Sequence, residues 1–182
     1  MAEPRPPFPV KYFIAVLFKD KADLFVACKQ TEEIWGKIDI QGDDHLFDVT
    51  DYYHKEMGQP IYRRLIAFEK LYDPILLVTM KLRCNELELE LSFKKGKRVV
   101  NLDAGYLDHN KVLLASAKEA GQKIYLDKGI YADLAGRYKA GKYQSFEWSF
   151  PDFKDGRYDK ELCAFRKRYM EQMKLWRKNN PA

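Results

Sequence analysis

The chain reads Tyr12-Phe13-Ile14-Ala15-Val16-Leu17-Phe18 near its start, an uninterrupted run of apolar, aromatic and β-branched residues. A half-exposed strand would alternate apolar with polar side chains, so a continuous run is typical of a strand that is buried on both faces. We therefore predict that this stretch forms a buried β-strand and that the other elements cover both of its sides.

The residues that follow this strand predict the element order β-α-β-β-α-β. The predicted elements are a helix between Asp20 and Gly36, extended segments at 38–40 and 46–49, a strand at 61–68, a helix that starts at Asp73-Pro74, and a strand at 98–102. Residues 86–91 alternate with period two and also fit a strand, but we favour helix there. This is the ferredoxin-like order of an α+β fold, with two helices on one face of a mostly antiparallel sheet.

Further elements extend this core. The sequence predicts a short helix capped by Asp108 or Asn110 and ending at Gly121, strands at 123–126, 130–138 and 143–150, a hairpin turn at 139–142, and a final helix over 159–178. Residues 1–10 are rich in proline and predict an extended lead-in. Because no Gly/Ser linker or repeat interrupts the chain, we predict a single domain over residues 1–182.

The basic excess of the chain lies in its last segment. The net charge is +5, and residues 159–182 hold seven basic and three acidic residues, which gives 7 − 3 = +4. On a helical wheel the apolar residues form one stripe and the lysines the opposite face: Leu162, Phe165, Tyr169, Met173 and Trp176 against Lys160, Lys167, Lys174 and Lys178. This pattern indicates a docked helix with solvated lysines, or a basic face for a phosphate-rich partner. A net charge of +5 makes nucleic acid an unlikely partner.

The cysteines and the apolar runs bear on location. Cys28, Cys84 and Cys163 lie far apart and form no CxxC pair, which fits reduced thiols in a cytoplasmic protein. No apolar run approaches the roughly 20 residues that cross a bilayer, and the N-terminus has no signal-peptide pattern. We predict a cytoplasmic protein with no membrane partner.

Two compact clusters of polar and aromatic residues, at 47–58 and 101–107, are predicted to lie where strands end. Their carboxylates are Asp48, Asp51 and Glu56 in the first cluster and Asp103 in the second. If the clusters pack side by side, these four groups would form a catalytic centre that holds a hard cation such as Mg²⁺ or Mn²⁺. The structural alternative is that they cap turns, because Asp and Thr side chains commonly do so.

Cationic and aromatic residues near the clusters are candidate ligand contacts. Arg63 and Arg64 follow the first cluster and are predicted to point to opposite faces of their strand. The candidate ligand-binding residues are Arg63, Lys111 and Lys118, which would neutralise a phosphate, and Tyr52, Tyr53, Asn101 and Tyr106, which would line a pocket. Solvated lysines and buried core tyrosines are the structural alternatives.

Several familiar local motifs are absent from the sequence. It contains no GxxxxGK[ST] or GxGxxG phosphate loop, no HExxH motif, no zinc-ligand spacing and no GxSxG elbow. These absences exclude those local motifs but do not exclude catalysis.

The two clusters also carry a family resemblance. The residues are Phe47-Asp48-x-Thr50-Asp51-Tyr52-Tyr53-x-x-Glu56-Met57-Gly58, then Arg63, Lys81, Asn85-Glu86-Leu87-Glu88, Arg98, Asn101-Leu102-Asp103-x-Gly105-Tyr106-Leu107, Lys111, Lys118, and Trp148-x-x-Pro151-Asp152. As a set, spread over nearly the whole chain, they resemble an uncharacterised bacterial family, domain of unknown function 4416. The chain departs from the family pattern at Ala104, where proline is usual, and at Gln122-Lys123, where His-Arg is usual.

The resemblance implies no established activity. Members of the family are sometimes labelled GTP-binding, but this chain lacks a P-loop, and Asn110-Lys111-Val112-Leu113 lacks the aspartate of an NKxD motif. We therefore do not adopt that label.

Three hypotheses of function follow from the sequence. The first is a divalent-metal-assisted enzyme that acts on a phosphate-bearing small molecule or nucleotide. The second is a non-catalytic module that binds a ligand or another protein through the tyrosine-rich clusters. The third is weak nucleic-acid binding through Lys167, Lys174 and Lys178 of the last helix.

Overall fold

The computed structural model describes residues 3–180, which form a mixed α/β fold. The strands are β1 (Val10–Phe18), β2 (Ile38–Gln41), β3 (His45–Leu46), β4 (Tyr62–Tyr72), β5 (Val100–Leu107), β6 (Lys111–Ser116), β7 (Ile124–Asp127), β8 (Ile130–Lys139) and β9 (Lys142–Ser145). The helices are α1 (Lys21–Trp35), α2 (His54–Met57), α3 (Leu77–Lys95), α4 (Pro151–Lys154) and α5 (Asp159–Asn179). Among the helices of residues 3–180, none combines the length and the apolar character needed to span a membrane.

All nine strands belong to one open sheet in which every pairing is antiparallel. The strand order is β2-β4-β1-β5-β6-β8-β7, with β3 beside β4 and β9 beside β8. Strand β1 lies between β4 and β5, so that Ile14 faces Ile66 on one side and Ala104 on the other. Every residue of β1 is buried, which confirms the prediction for residues 12–18.

Helices cover both faces of the sheet. Helices α1 and α3 pack on one face, where alternate β1 residues such as Ile14 and Val16 join the core. Helix α5 packs on the other face, against Phe13 and Ala15. Its buried apolar residues are Leu162, Phe165, Tyr169 and Met173, and Trp176 is partly buried beside them, so the predicted apolar stripe is confirmed. Each such side chain stabilises the fold by about 1.5–3 kcal/mol through burial.

The second long helix starts where the sequence predicts. The Asp73 carboxylate accepts a hydrogen bond of 2.9 Å from the Ile75 N–H, and Pro74 opens a 3-10 turn that runs into α3. Pro suits this position because its missing N–H would have no partner in the first helical turn. The helix includes residues 86–91, as favoured, and ends at Gly96, whose φ of 69° suits a residue without Cβ.

Two predicted elements are wrong. The short helix between Asp108 or Asn110 and Gly121 is instead strand β6, which follows a tight turn after β5. The Asp108 carboxylate accepts hydrogen bonds from the N–H groups of Asn110 and Lys111 and so closes that turn. An aspartate that caps a helix makes the same kind of bond, so its presence does not distinguish the two. The strand expected at 143–150 is also wrong in its second half, because β9 ends at Ser145 and a turn follows it.

Two other predictions differ from the structure in extent. The second cluster, 101–107, is not confined to a strand end but extends from the second residue of β5 to its last, Leu107. Residues 1 and 2 of the predicted lead-in lie outside the described residues, and residues 3–9 form neither helix nor strand.

Candidate functional site

A cavity of about 570 Å³ opens where β5 and β6 diverge. The two strands pair only over Gly105–Leu107 of β5, which leaves residues 100–104 without a strand on that side. The cavity is lined by strands β1, β4, β5, β6 and β8, by the segment after β6, by α3 and the segment after it, by the loop before α2, and by the start of α4. Its volume falls within the range of small-molecule sites.

Side chains of α3 take the place of the missing strand beside Leu102. The Leu102 N–H donates a hydrogen bond of 2.7 Å to Glu88 Oε1, and the Leu102 carbonyl accepts one of 2.9 Å from Lys81 Nζ. Buried backbone groups need partners of this kind, since an unpaired one costs about as much as a lost hydrogen bond. Lys81 and Glu88 are 6% and 8% exposed, so the cavity wall contains buried charges of both signs.

Asp103 is the centre of the charge network. It accepts hydrogen bonds from Lys81 at 3.2 Å and from the Asn101 amide at 2.8 Å, and Arg63 lies 3.5 Å away. Burial alone would raise the pKa of the Asp103 carboxyl, but Lys81 and Arg63 outweigh burial and hold that pKa below its usual value. Asp103 is therefore a carboxylate at neutral pH, and its charge is neutralised.

Arg63 connects this network to α4. It reaches the cavity wall from β4, forms a buried ion pair with Asp152 and stacks 4.5 Å over the Phe47 ring. The same Asp152 oxygen also accepts a hydrogen bond of 2.8 Å from the Tyr158 hydroxyl. Arg64, the next residue, pairs with Asp44 elsewhere, so the two arginines do point to opposite faces.

The loop before α2 forms an aromatic wall of the cavity. The rings of Tyr52 and Tyr53 are nearly perpendicular, with centroids 5.0 Å apart. The Arg98 guanidinium lies 5.3 Å from the Tyr53 ring, and burial raises the pKa of the Tyr53 hydroxyl to about 12. The Lys118 ammonium lies 4.2 Å from the centroid of the Tyr52 ring, which is the geometry of a cation–π contact.

Lys123 and Asp133 form the wall on the β8 side. The Lys123 ammonium donates to Ser116 Oγ at 2.8 Å and to the Lys118 carbonyl at 3.2 Å. It lies 3.8 Å from Asp133 Oδ2, which is too far for a hydrogen bond. Asp133 is only 3% exposed, and burial raises its pKa although Lys123 opposes the shift.

A protein-family model described as Domain of unknown function (DUF4416) matches residues 8–169. The chain belongs to this family. No curated protein and no solved structure matches the chain. The matched span contains all the cavity-lining residues, from Ala15 to Asp152. The match therefore spans the complete site, and the description of the family assigns no activity.

The structure brings six of the predicted site residues to the cavity of this DUF4416 protein. They are Tyr52, Tyr53, Arg63, Asn101, Asp103 and Lys118. The first and second clusters are therefore neighbours, as expected. Lys118 reaches the cavity from the segment after β6 and not from the helix that the sequence predicted.

The other carboxylates of the predicted metal site lie elsewhere. Asp48 pairs with Arg157, and Asp51 is 95% exposed beside His54. Glu56 pairs with Arg98, but Glu56 itself does not line the cavity. Within residues 3–180, no group of three or more His, Cys, Asp or Glu residues is placed to hold a metal ion. The four carboxylates thus do not converge on one cation, because basic residues from distant parts of the chain bind Asp48, Glu56 and Asp103 separately and Asp51 is exposed.

Two predicted ligand contacts also lie away from the cavity. Tyr106 points to the α1–α3 face of the sheet and packs edge-on against Tyr12, with ring centroids 5.7 Å apart. Lys111 starts β6 and pairs with Asp108 in the preceding turn. Both have the structural roles that were the alternatives for them.

Six further charged residues of the cavity were not predicted as site residues. They are Lys81, Glu88, Arg98, Lys123, Asp133 and Asp152. Two sequence signals point to some of them. The first signal is the spacing of polar residues along α3, which places three of them on one helix face at intervals of four and three: Lys81, Asn85 and Glu88. Asp133 interrupts the apolar strand β8, where a lone carboxylate needs a reason.

Proposed function

We propose that this protein binds a small molecule with a planar group and a phosphate or similar compact anion in the cavity between β5 and β6. The observation that carries the proposal is Lys118. Among residues 3–180, it is the cavity lysine that no carboxylate contacts within ion-pair distance, and it lies over the exposed ring of Tyr52. The Lys118 side chain is exposed to solvent, and a bound anion would supply a counter-charge that the chain does not.

The other cations of the cavity already have partners. Arg63 pairs with Asp152, Lys81 with Asp103, and Arg98 with Glu88. Lys123 lies within ion-pair distance of Asp133, at 3.8 Å. They leave little unpaired charge, but they fix the walls. Tyr52 and Tyr53 offer two ring faces at right angles, and planar ligands stack well on such rings. A phosphate-bearing ligand with an aromatic group, such as a nucleotide, fits both features.

Concentrated buried charge in a cleft also favours a functional site over a purely structural one. Buried ionisable groups with shifted pKa values cluster where proteins bind or react with ligands. Here Asp103, Glu88 and Asp133 have shifted pKa values and line one cavity. The proposal retains the phosphate-bearing ligand of the first hypothesis and omits the metal set, since its four carboxylates are separated.

Calorimetric titration of AMP and of adenosine tests this function. We expect AMP to bind more tightly than adenosine, and Lys118→Met to weaken AMP binding roughly tenfold, as expected for one charge-assisted contact. Lys139→Met is the matched control, because Lys139 is an exposed lysine outside the cavity. Equal binding of AMP and adenosine, or equal effects of the two lysine variants, would overturn the proposal.

We also propose that β1, β2, β4 and β5, with α1 and α3, form a ferredoxin-like unit. The support is the strand order β2-β4-β1-β5, its antiparallel pairing and the placement of both helices on one face. A crystal structure tests this proposal. A different order of these four strands in the crystal would contradict it.

A further inference from the structure

Three buried polar atoms without a hydrogen-bond partner belong to residues that line the cavity. Within residues 3–180, the buried side-chain atoms that lack a partner are Gln30 Oε1, Arg63 Nε, Asp133 Oδ1, Tyr143 Oη, Asp152 Oδ1 and Glu161 Oε2. Arg63, Asp133 and Asp152 all line the cavity. Because buried polar groups nearly always have partners, this concentration calls for a partner from outside the chain.

Asp133 has the least support from the chain. Its Oδ1 atom has no hydrogen-bond partner in the described residues, and its Oδ2 atom lies 3.8 Å from the Lys123 ammonium. The Lys123 ammonium is already bonded to Ser116 and to the Lys118 carbonyl. An unsatisfied buried group of this kind costs stability, and a ligand that donates to Asp133 would recover that free energy.

Asp152 presents a second free acceptor. Its Oδ2 atom binds Arg63 and the Tyr158 hydroxyl, whereas Oδ1 has no partner and the residue is fully buried. The two carboxylates come from β8 and from the start of α4, so they approach the cavity from different elements. In the described part of the chain, neither Asp133 Oδ1 nor Asp152 Oδ1 has a donor.

We infer that Asp133 and Asp152 form an acceptor site for an amino group of the ligand. This inference rests on the proposed function for the location of the ligand. The ligand class is thereby narrowed to an amino-substituted aromatic heterocycle that bears a phosphate. Its ring packs beside Tyr52 and Tyr53, its phosphate binds Lys118, and its N–H groups donate to the two carboxylates. A carboxylate acceptor favours such donors because charge-assisted hydrogen bonds are about twice as strong as neutral ones.

A set of four compounds separates this inference from the proposed function. AMP and adenosine differ in the phosphate. Purine riboside 5′-monophosphate and purine riboside are their counterparts without the 6-amino group. The phosphate comparison tests the proposed function, and the amino comparison tests the acceptor site. We expect AMP to bind roughly 10- to 100-fold more tightly than purine riboside 5′-monophosphate, which is the value of a hydrogen bond to a charged group.

Variants of Asp133 test whether this residue causes the preference for AMP over the compound without the amino group. Asp133→Leu keeps the size of the side chain and removes both acceptors, so the preference for AMP over its counterpart should fall to less than about threefold. Should that variant not fold, Asp133→Asn removes the charge alone and should reduce the preference partly. Glu147→Gln, at an exposed carboxylate outside the cavity, should leave the preference unchanged.

Each outcome of this experiment is decisive. A phosphate preference without an amino preference overturns the acceptor site and leaves the proposed function standing. An amino preference without a phosphate preference overturns the proposed function, including the role of Lys118, and leaves the acceptor site for an amino group standing. An amino preference that survives in Asp133→Leu and in Asp133→Asn overturns the assignment to Asp133. If GMP and IMP, which differ in a 2-amino group, and all four purine compounds fail to bind, both proposals are overturned.

Discussion

Arg63→Met removes the buried cation that connects Asp152 to Asp103. Arg63 is 5% exposed and Asp152 is fully buried, so solvent screens neither charge. In the variant, Asp152 would keep only the Tyr158 hydroxyl as a donor, whereas Asp103 would keep Lys81 and Asn101. Breaking a buried ion pair by removing one partner costs about 3–5 kcal/mol. We expect the free energy of unfolding to fall by that amount.

The reciprocal change, Asp152→Asn, should cost less. Arg63 would still have Asp103 at 3.5 Å, and the carbonyl oxygen of the new amide could still accept from Tyr158, so the loss should be about 1–3 kcal/mol. In the double variant neither the arginine nor the carboxylate is left buried without its partner. The double variant should therefore be more stable than the sum of the two single losses predicts, by about 1–3 kcal/mol of interaction energy.

Urea unfolding followed by tryptophan fluorescence measures all four proteins. The slope of the unfolding free energy with urea should stay constant, so that shifts of the midpoint report stability alone. Arg64→Met serves as the matched control, because Arg64 follows on the same strand and pairs with Asp44 in a more exposed setting. It should cost less than about 1 kcal/mol. Additive losses in the double variant would refute the coupling between Arg63 and Asp152.

Three further predictions concern stability. Asp103→Asn should lower the free energy of unfolding at neutral pH, and urea titrations should show a smaller difference from the wild type at acidic pH, because the lowered pKa of Asp103 means that its stabilisation is lost as pH falls. A difference that stays constant with pH would contradict this. Asp133→Asn should instead raise the free energy of unfolding at neutral pH, because burial raises the pKa of Asp133, and the gain should vanish in acid as Asp133 of the wild type takes up a proton. Lower stability of the variant at neutral pH would contradict this. Gly105→Ala should lower the free energy of unfolding by about 1–3 kcal/mol, because a Cβ there would overlap the Leu113 carbonyl oxygen. An unchanged midpoint in thermal or urea unfolding would contradict the tight approach of β5 to β6.

The parts of the fold that follow from local physics could be predicted from the sequence. Residues 12–18 are apolar without interruption, and β1 is buried throughout. Asp73-Pro74 starts the helical segment, and the stripe of α5 is buried as its spacing requires. In each case the signal lies within one element and needs no knowledge of its neighbours.

Strand β6 could not be predicted in this way. Asp108 closes a hairpin turn with the same side-chain hydrogen bonds that would cap a helix, and the short run after it fits either structure. Pairing on both sides decides that this segment is a strand, because β6 lies between β5 and β8 in the sheet. Those partners are set by the whole topology, so tertiary context overrides the local signal.

The separation of the four carboxylates could not be predicted for a related reason. The spacing of Asp48, Asp51 and Glu56 shows that three carboxylates are near one another in sequence. It does not show that Arg157, more than 100 residues later, binds Asp48, or that Arg98 binds Glu56. The neutralising partner of a carboxylate is a long-range property, and a single sequence gives no direct sign of it.

The site itself divides into groups that the fold needs and groups that it does not explain. Where β5 leaves β6, the N–H and carbonyl of Leu102 need partners, and α3 supplies Glu88 and Lys81. Burying these two charges in turn requires the opposite charges of Arg98 and Asp103. This part of the network is therefore accounted for by the divergence of the sheet, whether or not a ligand binds.

Lys118 and Asp133 have no such structural reason. No carboxylate in residues 3–180 neutralises the Lys118 ammonium within ion-pair distance, and Oδ1 of the buried Asp133 has no hydrogen-bond partner there. Replacing Lys81 or Glu88 should therefore reduce stability, whereas replacing Lys118 or Asp133 should change binding and leave stability unchanged or higher. The buried Asp133 costs stability and the exposed Lys118 contributes little to it, so selection for binding explains these two residues better than it explains the charge network as a whole.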